Sequence, residues 1–317
     1  MDAGERGAKG ALERSLRLGQ VRAFNAVVRH GSFSEAARAI GVSQPAVTLQ
    51  IRGLEEAAGG RVFQRGGAAE LTPLGQSLLS DLRTLGHLVD HVEGKLGASR
   101  DLMAGSLAVG LCGPFVGMPL VKRYAAAFPN IAISTRLANG KQLIEAVRAQ
   151  TVDVAVVTLE GPAHDLFNLL LATQRVAILA PSDHRLGARG RIRLAELEAE
   201  PLVIRERGSM TRQVFEVGLA RIGLRIDPAF EFASREAVKE AVACGLGLGI
   251  VLDREAGADR RLITLTIEDA GFTAGEYLIC PHSLAGLGPV GAFVETARTL
   301  FQPSPEPGCQ ETVAELS

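Results

Sequence analysis

No apolar run in the 317-residue sequence approaches the roughly 18 to 20 residues needed to cross a bilayer. The amino end, MDAGERGAKGALER, carries charge with no apolar stretch behind it, so no secretion signal is written there and a cytoplasmic location is expected. Cysteine is scarce: Cys112, Cys244, Cys280 and Cys309 are scattered, with no C-x-x-C pair and no histidine at metal-ligand spacing. Buried reduced thiols are the expectation, with a thiol redox switch as the alternative. An excess of one charge is missing too. Lys and Arg number 34 against 35 Asp and Glu, a net charge of -1. That argues against a broad electrostatic nucleic-acid binder and leaves room for a small, specific one. Nor do His30, His87, His91, His164, His184 and His282 stand near a Ser or Cys nucleophile pattern. His87 and His91 are four apart on a helix described below as a coiled-coil segment, where surface polar positions are expected for both. No catalytic residue, metal or cofactor is expected.

What is present is a folded chain. Hydrophobic residues make up 47% and charged residues 22%, with mean hydropathy +0.17, and the length points to two or more compact units. Residues 1–17 read as a frayed leader. Leu18, Val21, Phe24 and Val27 or Val28 form the apolar stripe of a first helix ending near His30-Gly31. Ser32 and Glu35 have capping-box spacing, and Ala36, Ala37 and Ile40 give the next helix a slim face before Gly41 ends it. Ser43 is the following N-cap, with Pro45 in the first turn and Val47, Ile51 and Leu54 on one side. RVFQRGGAAELT (61–72) reads as a small wing hairpin. After Thr72-Pro73, Leu78, Leu82, Leu85, Val89, Val92 and Leu96 follow in alternating steps of four and three. That heptad seam predicts dimerisation, the alternative being an amphipathic helix packed on its own domain.

Beyond Ser99-Arg100 strands and helices alternate. Strands are expected at 106–111, 131–137 and 152–158, with helices at 115–127 and 140–149 between them, which implies a parallel sheet. A second set follows: strands at 175–181, 201–206, 228–234, 248–252, 262–267 and 276–281, with helices at 209–222, 235–244 and 290–301. Two lobes result, the late strand and helix returning to the first.

Three motifs carry chemistry. The helices across 32–55 have helix-turn-helix spacing, with Gln44, Thr48, Gln50 and Arg52 on a polar face able to bond base edges; an αα-corner with a solvated face is the bland alternative. In parallel sheets, ligands gather where strands end and helices begin. Those edges hold Cys112, Gly113 and Pro114, then Asn139 and Gly140, Thr158, RERGSMTR (205–212), and Ser234 and Arg235. In the fourth, Gly208, Ser209, Met210 and Thr211 open a helix flanked by Arg205, Arg207 and Arg212. A phosphate, phosphonate, sulfonate or carboxylate would suit it, unless Ser209 is a plain N-cap and the arginines are solvated surface. GLGLG (245–249) follows a helix and leads into a strand, the reverse of a dinucleotide-binding fingerprint, so Gly245 is expected to be a helix C-cap.

LGQVRAFNAVVRHGSFSEAARAIGVSQPAVTLQIRGLEEAAGGRVFQR, followed by LTPLGQSLL, resembles the amino-terminal domain of the LysR-type transcriptional regulators, and the similarity runs over roughly residues 18–301. The resemblance implies an α+β and α/β multidomain protein: a winged helix-turn-helix at 18–75 and a dimerising linker helix at 73–98. An effector domain similar to periplasmic binding proteins follows at 101–301, with lobe I at about 101–174 plus 275–301 and lobe II at about 175–272. Residues 302–317 would be a flexible tail. It further implies that Gln44, Pro45, Ala46, Thr48 and Arg52 meet DNA, with Ser32, Ser43 and Gln50 beside them and Arg65 at the wing. The wing tip GGAAE departs from the basic residues frequent in the family, so weak wing contact is expected. RERGSMTRQVFE and SREAVKEAVACGLGLGIV resemble the subset associated with phosphonate utilisation, aminoethylphosphonate in particular. The expected partners are double-stranded DNA on an inverted repeat, a small anionic effector, and a second copy in a dimer or tetramer, with RNA polymerase a further candidate. A small-molecule-binding protein whose helical head serves protein association, and behind it an α/β enzyme, remain as alternatives.

Overall fold

The computed structural model describes residues 15–64, 69–96, 105–268 and 271–301; Arg65 with the first three residues of the wing tip, and the tail 302–317, fall outside them, as does the side chain of Leu96. The amino-terminal head consists of α1 (Leu18–His30), α2 (Phe33–Ala39) and α3 (Gln44–Ala58). Its apolar residues converge on Phe24, which is fully buried, with the Phe63 ring 5.4 Å away and Phe33 in turn 5.6 Å from Phe63. Turns separate the helices as the spacing predicts. Gly31 (φ 65°) and Gly41 (φ 69°) take left-handed conformations that favour glycine. The Ser32 hydroxyl accepts the Glu35 N–H (3.5 Å) and the Ser43 hydroxyl the Ala46 N–H (3.4 Å). Glu35 does not complete the predicted capping box: its carboxylate accepts both bonds from Arg38 instead. The wing's base is an antiparallel Phe63–Leu71 bridge, with the Gln64 N–H donating to the Glu70 carbonyl (2.8 Å).

The long helix α4 (Pro73–Leu96) behaves as two halves. Leu82 is buried with Leu79 in the head's own core and Leu78 packs against it, so the upper part of the predicted dimer seam is already occupied. Lower down, Leu85 and Val92 are exposed and Val89 is half-buried, and Leu88, outside the predicted seam, is exposed as well. The expectation of surface histidines fails for His87, which is buried. His91 is half-buried and accepts the Gly288 N–H at 3.2 Å. No helix among the described residues is long and apolar enough to cross a membrane.

Lobe I holds β1 (Gly105–Leu111), α5 (Pro114–Ala127), β2 (Ile131–Leu137), α6 (Gly140–Arg148) and β3 (Val154–Leu159), with β1 pairing in parallel to both β2 and β3. The next strand, β4 (Phe167–Pro181), is far longer than the expected 175–181. Lobe II follows with β5 (Arg191–Ile192), α7 (Leu194–Leu197), β6 (Leu202–Arg205), α8 (Met210–Arg221), β7 (Phe230–Phe232), α9 (Arg235–Ala243), β8 (Leu248–Leu252) and β9 (Leu262–Ile267). The chain then returns to lobe I as β10 (Thr273–Cys280) and α10 (Gly288–Phe301). Residues 167–175 of β4 pair with β10, and residues 176–181 with β8 and β9, so one strand serves both lobes. The order is β2-β1-β3-β10-β4-β8-β6-β7. Each lobe keeps its own core, around Leu120, Tyr124 and Phe293 in the first and Ile178, Ile204 and Phe215 in the second. Gly245 (φ 78°) follows α9 and leads towards β8, as a helix-ending glycine should.

Phe24→Ala should therefore destabilise the head by about 3–5 kcal/mol through the cavity it leaves. Chemical denaturation of the full-length chain, with the head's unfolding followed separately from the lobes', checks this.

Candidate nucleic-acid interface and ligand cleft

The exposed side of α3 is set by what its other side buries. Val47, Ile51 and Leu54 enter the head core, which leaves Gln44, Pro45, Thr48 and Arg52 facing outward and Ala46 half-exposed. Gln44 accepts the Ser34 hydroxyl (2.9 Å), Thr48 donates to the Gln44 carbonyl (3.0 Å), and Arg52 pairs with Glu56 at 3.3 Å in the open. Gln50 is half-buried. Its side chain turns towards the start of α1, so close that a Cβ on Gly19 would lie 3.0 Å from Gln50 Oε1. Ser32 and Ser43 are engaged as helix caps. Leu49, left out of the polar-face reading, is the most exposed large apolar side chain among the described residues, at 68%, beside Pro45 and Thr48. An apolar residue there suits a thymine methyl in a major groove, and its single telltale is an apolar residue off the helix's buried stripe.

Between the lobes lies a cavity of about 520 Å³. Four helices begin in its wall: α5 at Pro114, α6 at Asn139, α8 at Ser209 and Met210, α9 at Ser234 and Arg235. First-turn N–H groups lack intrahelical acceptors and carry the positive ends of the helix dipoles, so the convergence favours an anion. Asn139 and Ser234 spend their side chains as caps, accepting the Gln142 (3.0 Å) and Ala237 (3.1 Å) N–H groups. Ser209 makes no side-chain cap bond and is buried in the wall beside Thr211. Cys112, Thr158 and Arg205 complete the predicted residues that line the cavity. Leu137, Ala138, Gln142, Glu206 and Glu236 also line it. Leu137, Ala138 and Glu206 sit at the ends of β2 and β6, where strand ends could have pointed to them, whereas Gln142 and Glu236 lie in first helical turns and needed the helix registers.

The arginine cluster is not as predicted. Arg212 is buried on the far side of α8, bonded to Glu216 (2.6 Å), Glu231 (2.6 Å) and the Arg205 carbonyl (3.0 Å). Arg205 is held by Glu206 in a two-pronged pair (2.8 and 3.0 Å), and Arg207 is exposed outside the wall. Arg235 reaches from lobe II to lobe I, donating to the Cys112 carbonyl at 2.8 Å while Glu255 holds its other arm at 2.6 Å. Gly113, Gly140 and Gly208 do not line the cavity. They let the lobes close: a Cβ on Gly113 would lie 3.2 Å from the Arg235 guanidinium, one on Gly140 2.8 Å from Met210, and one on Gly208 2.7 Å from Asn139. Below the cleft, Glu276 is buried and accepts hydrogen bonds from Thr158 (2.6 Å) and Gln174. Burial pushes its carboxyl above the usual range. Burial also raises the Cys112 thiol despite nearby Arg235, and that of Cys280 to about 12, which favours the protonated thiol in both; Cys244, contrary to expectation, is exposed. Among the described residues no cluster of His, Cys, Asp and Glu could hold a metal ion.

Comparison with known proteins accords with this geometry. Residues 18–76 match the bacterial regulatory helix-turn-helix of the lysR family, and residues 102–302 match the LysR substrate binding domain. A RuBisCO operon transcriptional regulator from Allochromatium vinosum is 30% identical over 289 residues, covering 88% of this chain and 95% of that one. Among solved structures, a full-length OxyR variant from Pseudomonas aeruginosa superposes with a TM-score of 0.72 at 19% identity, covering 92% of this chain and 98% of that one. Full-length CbnR in complex with its target DNA gives 0.54 at 22% identity, over 88% of this chain and 98% of that one; these two likenesses concern the fold. The chain belongs to the LysR family: it is a DNA-binding transcriptional regulator in which a helix-turn-helix head is joined to an effector-binding domain.

Proposed function

We propose that this regulator reads an interrupted inverted repeat through paired α3 helices and senses a small anionic metabolite in the cleft. The convergence of four helix starts on one cavity carries the ligand class. Its cationic side chains are already paired with Glu206 and Glu255, so the attraction left for a ligand comes from backbone N–H groups and the hydroxyls of Ser209 and Thr211. Phosphate, phosphonate and carboxylate groups all present the compact oxygens such a site accepts. Aminoethylphosphonate is carried only by the resemblance of RERGSMTRQVFE, of whose three arginines Arg205 alone lines the cavity, and the similarity to the Allochromatium regulator supports the family alone.

A ligand held by α6 of lobe I and α8 and α9 of lobe II favours the closed cleft, and it shifts the protein only by its differential affinity for closed and open arrangements. Closure would then change how heads are spaced in a dimer joined through the exposed Leu85, Leu88 and Val92 of α4, or in a tetramer built from such dimers. The regulator would act in the cytoplasm, engage RNA polymerase at its target promoters and leave its ligand chemically unchanged.

Selection of sheared genomic DNA by the purified protein should enrich an interrupted inverted repeat. Gln44→Ala with Arg52→Ala should abolish that preference while the oligomer seen by sedimentation stays intact; unchanged selectivity would remove α3 from the reading surface. In calorimetric titrations with inorganic phosphate, aminoethylphosphonate and a small dicarboxylate, at least one should bind. Ser209→Ala with Thr211→Ala should weaken it about 10- to 100-fold, as expected for lost bonds to a charged ligand, with operator binding retained. A ligand that binds both proteins equally would place the site elsewhere.

A further inference from the structure

The head and lobe I meet at a buried carboxylate. Asp153, just ahead of β3, is 1% exposed, and its Oδ2 accepts the Ala108 N–H at 2.7 Å from within lobe I. Every charged partner comes from elsewhere. Arg83 Nη1 (3.4 Å) and His87 Nε2 (3.3 Å), both on α4, face Oδ1, and Arg29 at the end of α1 lies 3.6 Å from Oδ2. Arg29 also donates to the Ser106 carbonyl in β1 (3.3 Å). Burial alone would raise the Asp153 pKa, but the His87 hydrogen bond and the charges of His87, Arg83 and Arg29 prevail and hold it at about 2. The carboxylate is ionised while docked.

Around it runs a cavity of about 50 Å³ walled by Asn25, Arg29, Arg83, His87, Asp90 and Asp153. Asn25 Oδ1, Arg29 Nε and His87 Nδ1 are buried with no hydrogen-bond partner among the described residues. Buried ion pairs return much of their attraction as lost hydration, and the groups bordering the cavity are ones that water can reach and satisfy. Swinging the head and α4 away from lobe I would rehydrate all of these groups at the expense of the packing of α4 on α10, whereas the apolar contact of α4 with the head, through Leu79 and Leu82, would be untouched.

We propose that Asp153 is a positioning residue: it docks the head and linker helix onto lobe I through Arg29, Arg83 and His87, in a joint built to release. The joint links the sheet that forms one wall of the ligand cleft to the helix that carries the DNA-reading unit. β3 begins at Val154, next to Asp153, and its Thr158 lines the cleft, so both ends lie on one strand.

Spin labels at Arg38→Cys in the head and Arg123→Cys in lobe I, in a Cys244→Ser, Cys309→Ser background and diluted into unlabelled chain, read the joint by pulsed electron spin resonance. The parent should give one narrow intramolecular distance. Asp153→Asn should add a second, longer one while the melting of the lobes is retained. Arg29→Gln, at the rim of the joint, should do the same and decides the matter if Asp153→Asn fails to fold. On the operator recovered by selection, both variants should keep half-site affinity but lose discrimination against an inserted spacer by roughly five-fold or more. A single unchanged distance in a folded variant, or undiminished spacer discrimination, would overturn the proposal.

Discussion

The two-lobed architecture depends on one backbone constraint: β4 runs 15 residues without interruption, and each half must find hydrogen-bond partners in a different place. Its first half is satisfied by β10 and its second by β8 and β9. The return of β10 from lobe II to lobe I makes a second connection beside the first, secured by the Val176 N–H donating to the Phe272 carbonyl at 2.8 Å. Two neighbouring crossings allow the lobes to approach and separate while each keeps its core. The cleft is a consequence: strands end and helices start along the line where the lobes face each other, so the first turns of α5, α6, α8 and α9 open into one space.

Apolar and charged contacts divide the labour in this molecule. Head, lobe I and lobe II are each closed around an aromatic or aliphatic centre, Phe24, Tyr124 and Phe215 respectively. Where these bodies meet, some apolar contact continues, as where Met210 packs on the lobe I cluster around Leu143 and where α4 lies along α10, but charged groups stand at the centre of each junction. Arg235 crosses the cleft to the Cys112 carbonyl, and Arg29, Arg83 and His87 reach Asp153. Apolar burial is non-directional and costly to reverse, whereas hydrogen-bonded charges are directional and readily exchanged for water. Rigid bodies joined by such contacts can adopt a few defined arrangements, as a switch requires.

Much of this was legible in periodicity. The stripe of Val21, Phe24 and Val27, the caps at Ser32 and Ser43 and the apolar run of β8 are local signals, and each element formed where its pattern placed it, although Leu18, read as the first member of that stripe, is exposed. β4 was half-read because FNLLLATQ carries no regular alternation and ends in polar residues; Gln174 is buried there by its bond to Glu276, a residue 102 positions away. The same limit explains the site. Gly208, Ser209 and Thr211 announce a helix start, but whether Arg212 turns towards the ligand or towards Glu216 and Glu231 depends on packing under α8. Likewise His87 looked like a surface position on a heptad helix because its partner, Asp153, lies 66 residues on in another domain.

The near-neutral charge belongs to the whole chain, whereas residues 18–75 carry more Arg than Glu, and part of that excess is already paired. Arg52 pairs with Glu56, and Arg38 with Glu35, so two of the cations beside the reading helix are already partly neutralised. Affinity of a head for bulk DNA depends on how many phosphates it can neutralise, and a head with few free cations binds any sequence weakly. A single head of this kind would sample DNA without being trapped on it. Useful affinity then comes only when two heads engage two half-sites at once, because the second contact forms at high effective concentration if the spacing is right and not at all if it is wrong. Heads that bind weakly one at a time would convert small changes in head placement into large changes in occupancy, which is the condition under which a ligand-driven movement of the lobes can regulate anything.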